Sequence, residues 1–88
     1  IVSNNILDYI ELSDDHSIVE IVASPRLNGR TLIDLDIRAK YGINIVGIKR
    51  GNKVIISPAA DEMVYVGDIL IVLGADTDIN RFEKKVLE

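Results

Sequence analysis

Apolar and polar positions divide the chain into short segments with two kinds of spacing. Five segments carry alternating or β-branched apolar residues, which are typical of strands; they are residues 7–12, 17–23, 43–50, 53–57 and 69–73. Segment 69–73 is apolar at every position, so it predicts a central strand with both faces covered. Between the third and fourth segments, Gly51 and Asn52 predict a two-residue hairpin turn.

The predicted hairpin determines which residues lie side by side. With a turn at residues 51–52, Arg50 faces Lys53 and Ile48 faces Ile55. Continuing this register brings the chain back to the start of the first strand. We therefore expect Pro58 to lie next to Asn44, and residues distant in sequence to meet there.

A helix is predicted between the second and third strands. Thr31 and Asp34 have the spacing of a capping box, and Gly42 fits the left-handed position that ends a helix. The apolar stripe of this helix is formed by Leu32, Leu35 and Ala39. In an alternative interpretation, Asp36 starts a second short helix instead of continuing the first.

A final helix is predicted near the end of the chain. Asp76 or Thr77 serves as its cap, and its apolar stripe contains Ile79, Phe82 and Val86. The resulting order is β-β-α-β-β-β-α, which predicts a small α+β sheet domain.

Length and composition limit the classes of protein. The 88 residues suffice for one domain, so we expect 1–88 to be a single unit, and the initial Ile predicts a fragment of a longer protein. The net charge of −4 argues against nucleic-acid binding, which needs a basic face. No apolar run approaches the about 20 residues that span a bilayer, so no direct membrane insertion is expected.

Catalytic and metal chemistry find little support among the residues. Cysteine is absent, and the single histidine, His16, lies in a polar turn. No serine lies in a nucleophile elbow, and no nucleophile–base pairing is evident. We therefore expect no enzyme activity, no catalytic residues, no metal ligands and no cofactor in this fragment.

Two polar residues flanking Gly42 are the candidates for ligand binding. Arg38 precedes the helix end and Asn44 opens the next strand, among apolar neighbours. Arg presents a planar fork of donors to phosphate oxygens, and Asn can bond N6 and N7 of an adenine. Together they indicate a non-catalytic adenine-nucleotide site. The alternatives are a surface ion pair of Arg38 with Asp34, and an Asn44 that only caps its strand.

The order and spacing of several short motifs resemble the C-terminal RCK domain, also called TrkA-C, from about residue 18 to 83. The motifs are Ser24-Pro25-x-x-x-Gly29-Arg30-Thr31-Leu32, Leu35, Arg38-x-x-Tyr41-Gly42, Ile45-Val46-Gly47-Ile48-Lys49-Arg50-Gly51 and Gly67-Asp68-Ile69-Leu70-Ile71-Val72-Leu73-Gly74. The likeness extends to KtrA-type cytosolic regulators of bacterial potassium uptake. Their N-terminal Rossmann domain, with its GxGxxG fingerprint, is absent from this chain.

The resemblance implies a homodimer that binds cyclic di-AMP at its interface and controls potassium transport. It implies a cytoplasmic domain that reaches a membrane potassium channel subunit through the full-length protein. By the same resemblance, Arg38 contacts phosphate, and Asn44 contacts the adenine edge with the backbone of Ile45. The remaining expected ligand-binding residues are Leu32, Ile33, Ile37, Ile45 and Pro58 as apolar wall, and Asp36 and Ala39 as floor.

Two other functions remain open at this point. One is a structural RCK dimerisation module without a small ligand. The other is a cation-binding regulatory domain that uses carboxylates such as Asp36 and Asp61.

Overall fold

The fold is described by a computed structural model, which covers residues 6–87, with side chains through residue 85. The strands are β1 (Ile6–Glu11), β2 (His16–Val22), β3 (Arg30–Thr31), β4 (Asn44–Arg50), β5 (Lys53–Ile56), β6 (Met63–Val64) and β7 (Ile69–Ala75). The helices are α1 (Leu32–Leu35), α2 (Ile37–Tyr41) and α3 (Asp76–Leu87), with one 3₁₀ turn at Pro25–Leu27. No helix in the described part of the chain is both long and apolar enough to cross a membrane.

Five strands form an antiparallel sheet in the order β1-β2-β7-β4-β5. The predicted α+β class and the order of the seven main elements are confirmed. The structure adds β3 and β6, which pair with each other in a separate two-stranded sheet. These strands were missed because two residues are too short to establish an apolar period.

The β4–β5 hairpin has the predicted register. Arg50 pairs with Lys53 and Ile48 with Ile55. Ser57 then continues the pairing with one backbone hydrogen bond, of 3.0 Å, to the carbonyl of Val46. Its φ of 51° lies in the left-handed region and bends the chain out of the sheet toward Pro58.

The hydrophobic core lies on one face of the sheet. Strands β2 and β7 alternate buried and half-buried residues, and α3 covers the buried face with Ile79 and Phe82, each 2% exposed. The predicted third member of this stripe, Val86, lies outside the described side chains. Strand β7 is central, as predicted, but the expectation that both its faces are covered is wrong. Ile69, Ile71 and Leu73 are only half-buried.

The predicted helix between β2 and β4 is broken into two. Thr31 Oγ1 accepts a hydrogen bond from the backbone N–H of Asp34 at 3.2 Å, which confirms the predicted cap. Asp36 then adopts φ 50° and ψ 43°, ends α1 and precedes α2. Gly42, with φ 72°, ends α2 as predicted. The break at Asp36 sets the direction of α2 independently of α1.

A buried carboxylate fastens the end of β4 to the turn before β7. Asp68 is 3% exposed and accepts hydrogen bonds from Arg50 Nε at 2.9 Å, from Arg50 Nη2 at 2.8 Å and from the Tyr65 backbone N–H at 2.9 Å. Burial alone raises the pKa of Asp68, but the bonds from Arg50 and Tyr65 outweigh it, so the pKa is lowered. The Arg50–Asp68 pair therefore holds the strand that carries Asn44.

Candidate functional site

A cavity of about 320 Å³ opens where α1, α2, the start of β4 and the segment after β5 meet. Most of its lining is aliphatic, and two polar side chains enter it, Arg38 and Asn44. This composition is typical of small-molecule sites, which are mostly apolar with a few placed polar groups. The lining residues are Leu32, Ile33, Ile37, Arg38, Ile43, Asn44, Ile45, Pro58 and Ala60.

Backbone hydrogen bonds bring these separate segments together. The first N–H groups of α1 donate to the connector after β5, from Leu32 to the carbonyl of Glu62 at 3.0 Å and from Ile33 to that of Ala60 at 2.8 Å. The free end of α1 is thereby satisfied by protein carbonyls. The start of α1 is therefore a fixed wall of the cavity. Arg38 is the cationic side chain among the residues that line this cavity.

Arg38 and Asn44 contact each other directly. The Nε of Arg38 donates a hydrogen bond of 3.0 Å to Oδ1 of Asn44. The alternative ion pair of Arg38 with Asp34 does not form among the described residues. Because α2 ends at Gly42 and β4 begins two residues later, the two side chains reach the same edge of the cavity.

This contact leaves the chemically useful atoms of both side chains available. The guanidinium uses Nε, so its two terminal nitrogens remain as a fork of donors for an anionic oxygen. The Asn44 amide keeps its two N–H donors and one lone pair of Oδ1. An amide with both a donor and an acceptor matches the N7 and N6 edge of adenine. The cavity thus combines a fork of cationic donors, an amide group and apolar walls.

The structure brings together seven of the nine residues predicted for ligand binding. Arg38, Asn44, Ile45, Ile37, Leu32, Ile33 and Pro58 all line the cavity. The two predicted floor residues, Asp36 and Ala39, are exposed and lie outside the lining. Two further lining residues, Ile43 and Ala60, were not predicted. Ile43 directly precedes Asn44 in the sequence, and this position could have indicated that Ile43 lines the cavity.

A second cavity, of about 240 Å³, lies between β1, β2 and the start of α3. Its lining includes the acidic residues Glu11, Asp14 and Asp76. Carboxylates at this density repel phosphate oxygens, because like charges in a partly enclosed site interact strongly. The cavity at Arg38 is therefore the better candidate for an anionic nucleotide.

The described residues do not assemble a metal site. No group of three or more His, Cys, Asp or Glu side chains within them is arranged to hold a metal ion. The carboxylates Asp36 and Asp61, proposed for the cation-binding alternative, are both exposed. His16 pairs its Nδ1 with Oδ1 of Asp15 at 2.8 Å in the exposed turn after β1, and this hydrogen bond holds the pKa of Asp15 below its usual range. The cation alternative thus has no donor set in residues 6–85.

Comparison with known families and proteins identifies the relatives of this chain. The sequence pattern of the TrkA-C domain family matches residues 16–87. The chain is 70% identical, over 87 residues, to Ktr system potassium uptake protein C of Bacillus subtilis, covering 99% of this chain and 39% of that protein. It is 43% identical, over 81 residues, to Ktr system potassium uptake protein A of the same organism, covering 92% of this chain and 36% of that protein. The chain therefore spans less than half the length of these relatives.

Solved structures with the same fold include two that hold a dinucleotide. One is the RCK C domain of the potassium transport protein KtrA in complex with cyclic diadenosine monophosphate; it superposes with a TM-score of 0.80 at 56% identity and covers 85% of this chain and 88% of that chain. The other is the RCK_C domain dimer of BusR from S. agalactiae in complex with the same ligand, with a TM-score of 0.70 at 25% identity, covering 76% of this chain and 91% of that chain.

Proposed function

Because this chain belongs to the TrkA-C domain family, we propose that it is a regulatory domain of a potassium uptake system and that two copies together bind cyclic di-AMP. The observation that carries this proposal is the cavity edge at which Asn44 holds the guanidinium of Arg38. Relatives whose names refer to potassium uptake, and similar domains solved with this dinucleotide, support it.

Each polar side chain has a defined part in the proposed site. The terminal nitrogens of Arg38 donate to a phosphate oxygen, and Nε stays on Asn44, so that the fork is oriented before the ligand arrives. Asn44 donates to N7 of adenine and accepts from N6 with the free lone pair of Oδ1, while the backbone of Ile45 adds a further contact. Apolar side chains such as Ile37 and Pro58 pack against the base.

Symmetry explains why the ligand needs two chains. Cyclic di-AMP has a two-fold axis, and a homodimer has a self-complementary interface with the same symmetry. The cavity of one chain, about 320 Å³, lies at the lower end of the range for small-molecule sites, about 300–1,000 Å³. Two cavities that face each other across a dyad meet both halves of the ligand with the same residues.

Regulation follows from the difference in affinity between two dimer arrangements. A ligand that favours one arrangement shifts the population toward it and, through the rest of the full-length protein, toward one state of a membrane potassium channel subunit. We place this domain in the cytoplasm, peripheral to the membrane. A dimerisation module without a ligand is the alternative, and cyclic di-AMP would leave its dissociation constant unchanged.

Titration of the isolated domain tests the proposal. We expect calorimetry to detect saturable binding of cyclic di-AMP and a much weaker response to cyclic di-GMP, because guanine presents O6 where adenine presents the N6 donor. Equal affinity for the two dinucleotides would contradict the proposed adenine contact of Asn44. No heat at saturating cyclic di-AMP would contradict the proposed binding.

Replacing Asn44 by alanine is expected to weaken cyclic di-AMP binding at least about 30-fold and to abolish the preference over cyclic di-GMP. One bidentate amide–base contact contributes about 1–3 kcal/mol of discrimination, and each ligand meets two copies. The substitution also removes the orienting contact on Arg38. Calorimetry measures both effects, with Asn52→Ala in the exposed hairpin turn as the matched control. Unchanged selectivity in Asn44→Ala would remove Asn44 from the site.

A further inference from the structure

A third depression in the surface, a groove of about 130 Å³, lies on the other side of α2 from the cavity at Arg38. Cationic side chains surround it. Its rim carries Arg26, Arg30, Lys40 and Lys85, and no carboxylate is among its lining residues. Among the side chains that the structure describes, none of these four cations forms an ion pair. Four of the ten Lys and Arg residues of a chain with net charge −4 are thus concentrated at one groove.

The bottom of this groove is apolar. Buried side chains of Leu27, Leu35 and Phe82 form it, each at most 7% exposed. An apolar space of about 150 Å³ can hold a benzene-sized group, so this one has room for a single aliphatic side chain. The groove therefore fits a segment with one apolar side chain flanked by carboxylates.

The turn between β1 and β2 has this composition. Leu12 is 51% exposed and lies between Glu11 on one side and Asp14 and Asp15 on the other. Backbone hydrogen bonds from Leu12 and Ser13 to the carbonyl of His16, at 2.8 and 3.2 Å, keep the turn closed. A preformed turn loses little conformational entropy when it docks.

The acidic turn and the basic groove lie at opposite ends of α3. The helix begins beside the turn, where the N–H of Asp76 donates to the carbonyl of Asp15 at 2.9 Å, and Lys85 in its last turn lines the groove. A helix of 12 residues is about 18 Å long. One chain cannot place its own turn in its own groove at that separation, so the turn that complements the groove is available only from a second copy.

We propose that the acidic turn of one copy, with Leu12 as its anchor, docks in the basic groove of another copy. This contact joins two different patches, so it is distinct from the two-fold contact proposed around cyclic di-AMP and does not depend on it. The groove and the cavity at Arg38 share one lining residue, Ile37.

Charge reversal provides the test. We expect wild-type protein without nucleotide to self-associate in sedimentation velocity at low salt, and to dissociate in roughly 1 M salt, where the Debye length is about 3 Å. The groove variant Arg30→Glu/Lys40→Glu and the turn variant Glu11→Lys/Asp14→Lys should each weaken association at least tenfold. The control Lys53→Glu reverses one lysine in the exposed start of β5, outside the groove lining, and should associate like wild type.

Mixing the two reversed variants is the decisive step. In each variant alone, the turn and the groove carry charges of the same sign and repel each other. In the mixture, the basic turn of one variant can dock in the acidic groove of the other, and the acidic turn in the basic groove. We expect association in the mixture to recover to within about threefold of wild type. Failure of the mixture to recover with both variants folded by circular dichroism, or a wild-type protein that stays monomeric at low salt, would overturn the proposal. Cyclic di-AMP should still join two chains of each charge-reversed variant, because the reversed residues lie outside the lining of the cavity at Arg38, and this result separates the two contacts.

Discussion

Replacing Arg38 by alanine is expected to weaken cyclic di-AMP binding at least 100-fold. A hydrogen bond to a charged group contributes about 1.5–3 kcal/mol, and each ligand meets one Arg38 from each chain. Losing both therefore costs at least about 3 kcal/mol, and each 1.4 kcal/mol is a factor of ten in affinity. Fold stability should hardly change, because Arg38 is exposed and its one side-chain hydrogen bond goes to Asn44.

Two further variants separate charge from geometry at this position. Lys40→Ala removes the same charge from the same short helix but outside the cavity, and should bind cyclic di-AMP within about twofold of wild type. Arg38→Lys keeps the charge but lacks the planar fork, so we expect an intermediate loss of about tenfold. Calorimetry measures all three dissociation constants. If Arg38→Ala binds within threefold of wild type, the phosphate contact is not at Arg38.

Replacing Asp68 by alanine is expected to lower the free energy of unfolding by about 3 kcal/mol. The substitution removes the acceptor of the Tyr65 N–H and two hydrogen bonds of Arg50, which keeps its bond to the Met63 carbonyl at 2.9 Å. Breaking a buried pair on one side typically costs about 3–5 kcal/mol. Arg50 is one-third exposed, so the lower end applies. For a domain of this size, that loss corresponds to a fall in Tm of about 12–24 °C.

The same carboxylate gives the fold a specific response to acid. Because the pKa of Asp68 is lower in the folded state than in the unfolded chain, its contribution to stability is complete at neutral pH. The contribution is lost as the pH falls from about 4, the ordinary aspartate value, through the lower folded value. Urea unfolding of wild type and Asp68→Ala should therefore differ most above pH 5 and converge on acidification. Asp61→Ala, at an exposed carboxylate, is the control and should match wild type throughout.

The elements that frame the site could be predicted because local chemistry determines them. The Thr31 cap, the Gly42 helix end and the Gly51–Asn52 turn each depend on neighbouring residues, and all three have the predicted form. The hairpin register then follows by counting, and it brings Pro58 and Asn44 to the same cavity. Short-range rules thus suffice to place the two polar side chains at one edge.

The features that were missed depend on long-range contacts. Ala60 lines the cavity because its carbonyl accepts the N–H of Ile33, and no local pattern indicates a pairing over that distance. The short strands β3 and β6 exist only as each other's partner. The half-buried face of β7 differs from prediction for a related reason, since a run of apolar residues does not specify what covers each face.

In the proposed mechanism, the position of α2 provides the route from ligand to dimer. The helix has five residues, is set off from α1 by the left-handed Asp36, and carries Arg38 on its cavity side. Ile37 and Tyr41 anchor it, and Tyr41 packs edge-on against Phe82 with ring centroids 5.4 Å apart. A phosphate bound by Arg38 would therefore act on a short helix that packs on the core. The position of such a helix can differ between two dimer arrangements.

Stoichiometry tests the central claim, that two chains share one dinucleotide, most directly. Native mass spectrometry and sedimentation equilibrium of the domain with cyclic di-AMP should give a complex of two chains and one ligand. The dimer dissociation constant should fall about 100-fold when the free ligand is at about 100 times its own dissociation constant. A complex of one chain with one ligand that stays monomeric under saturating cyclic di-AMP would contradict the account.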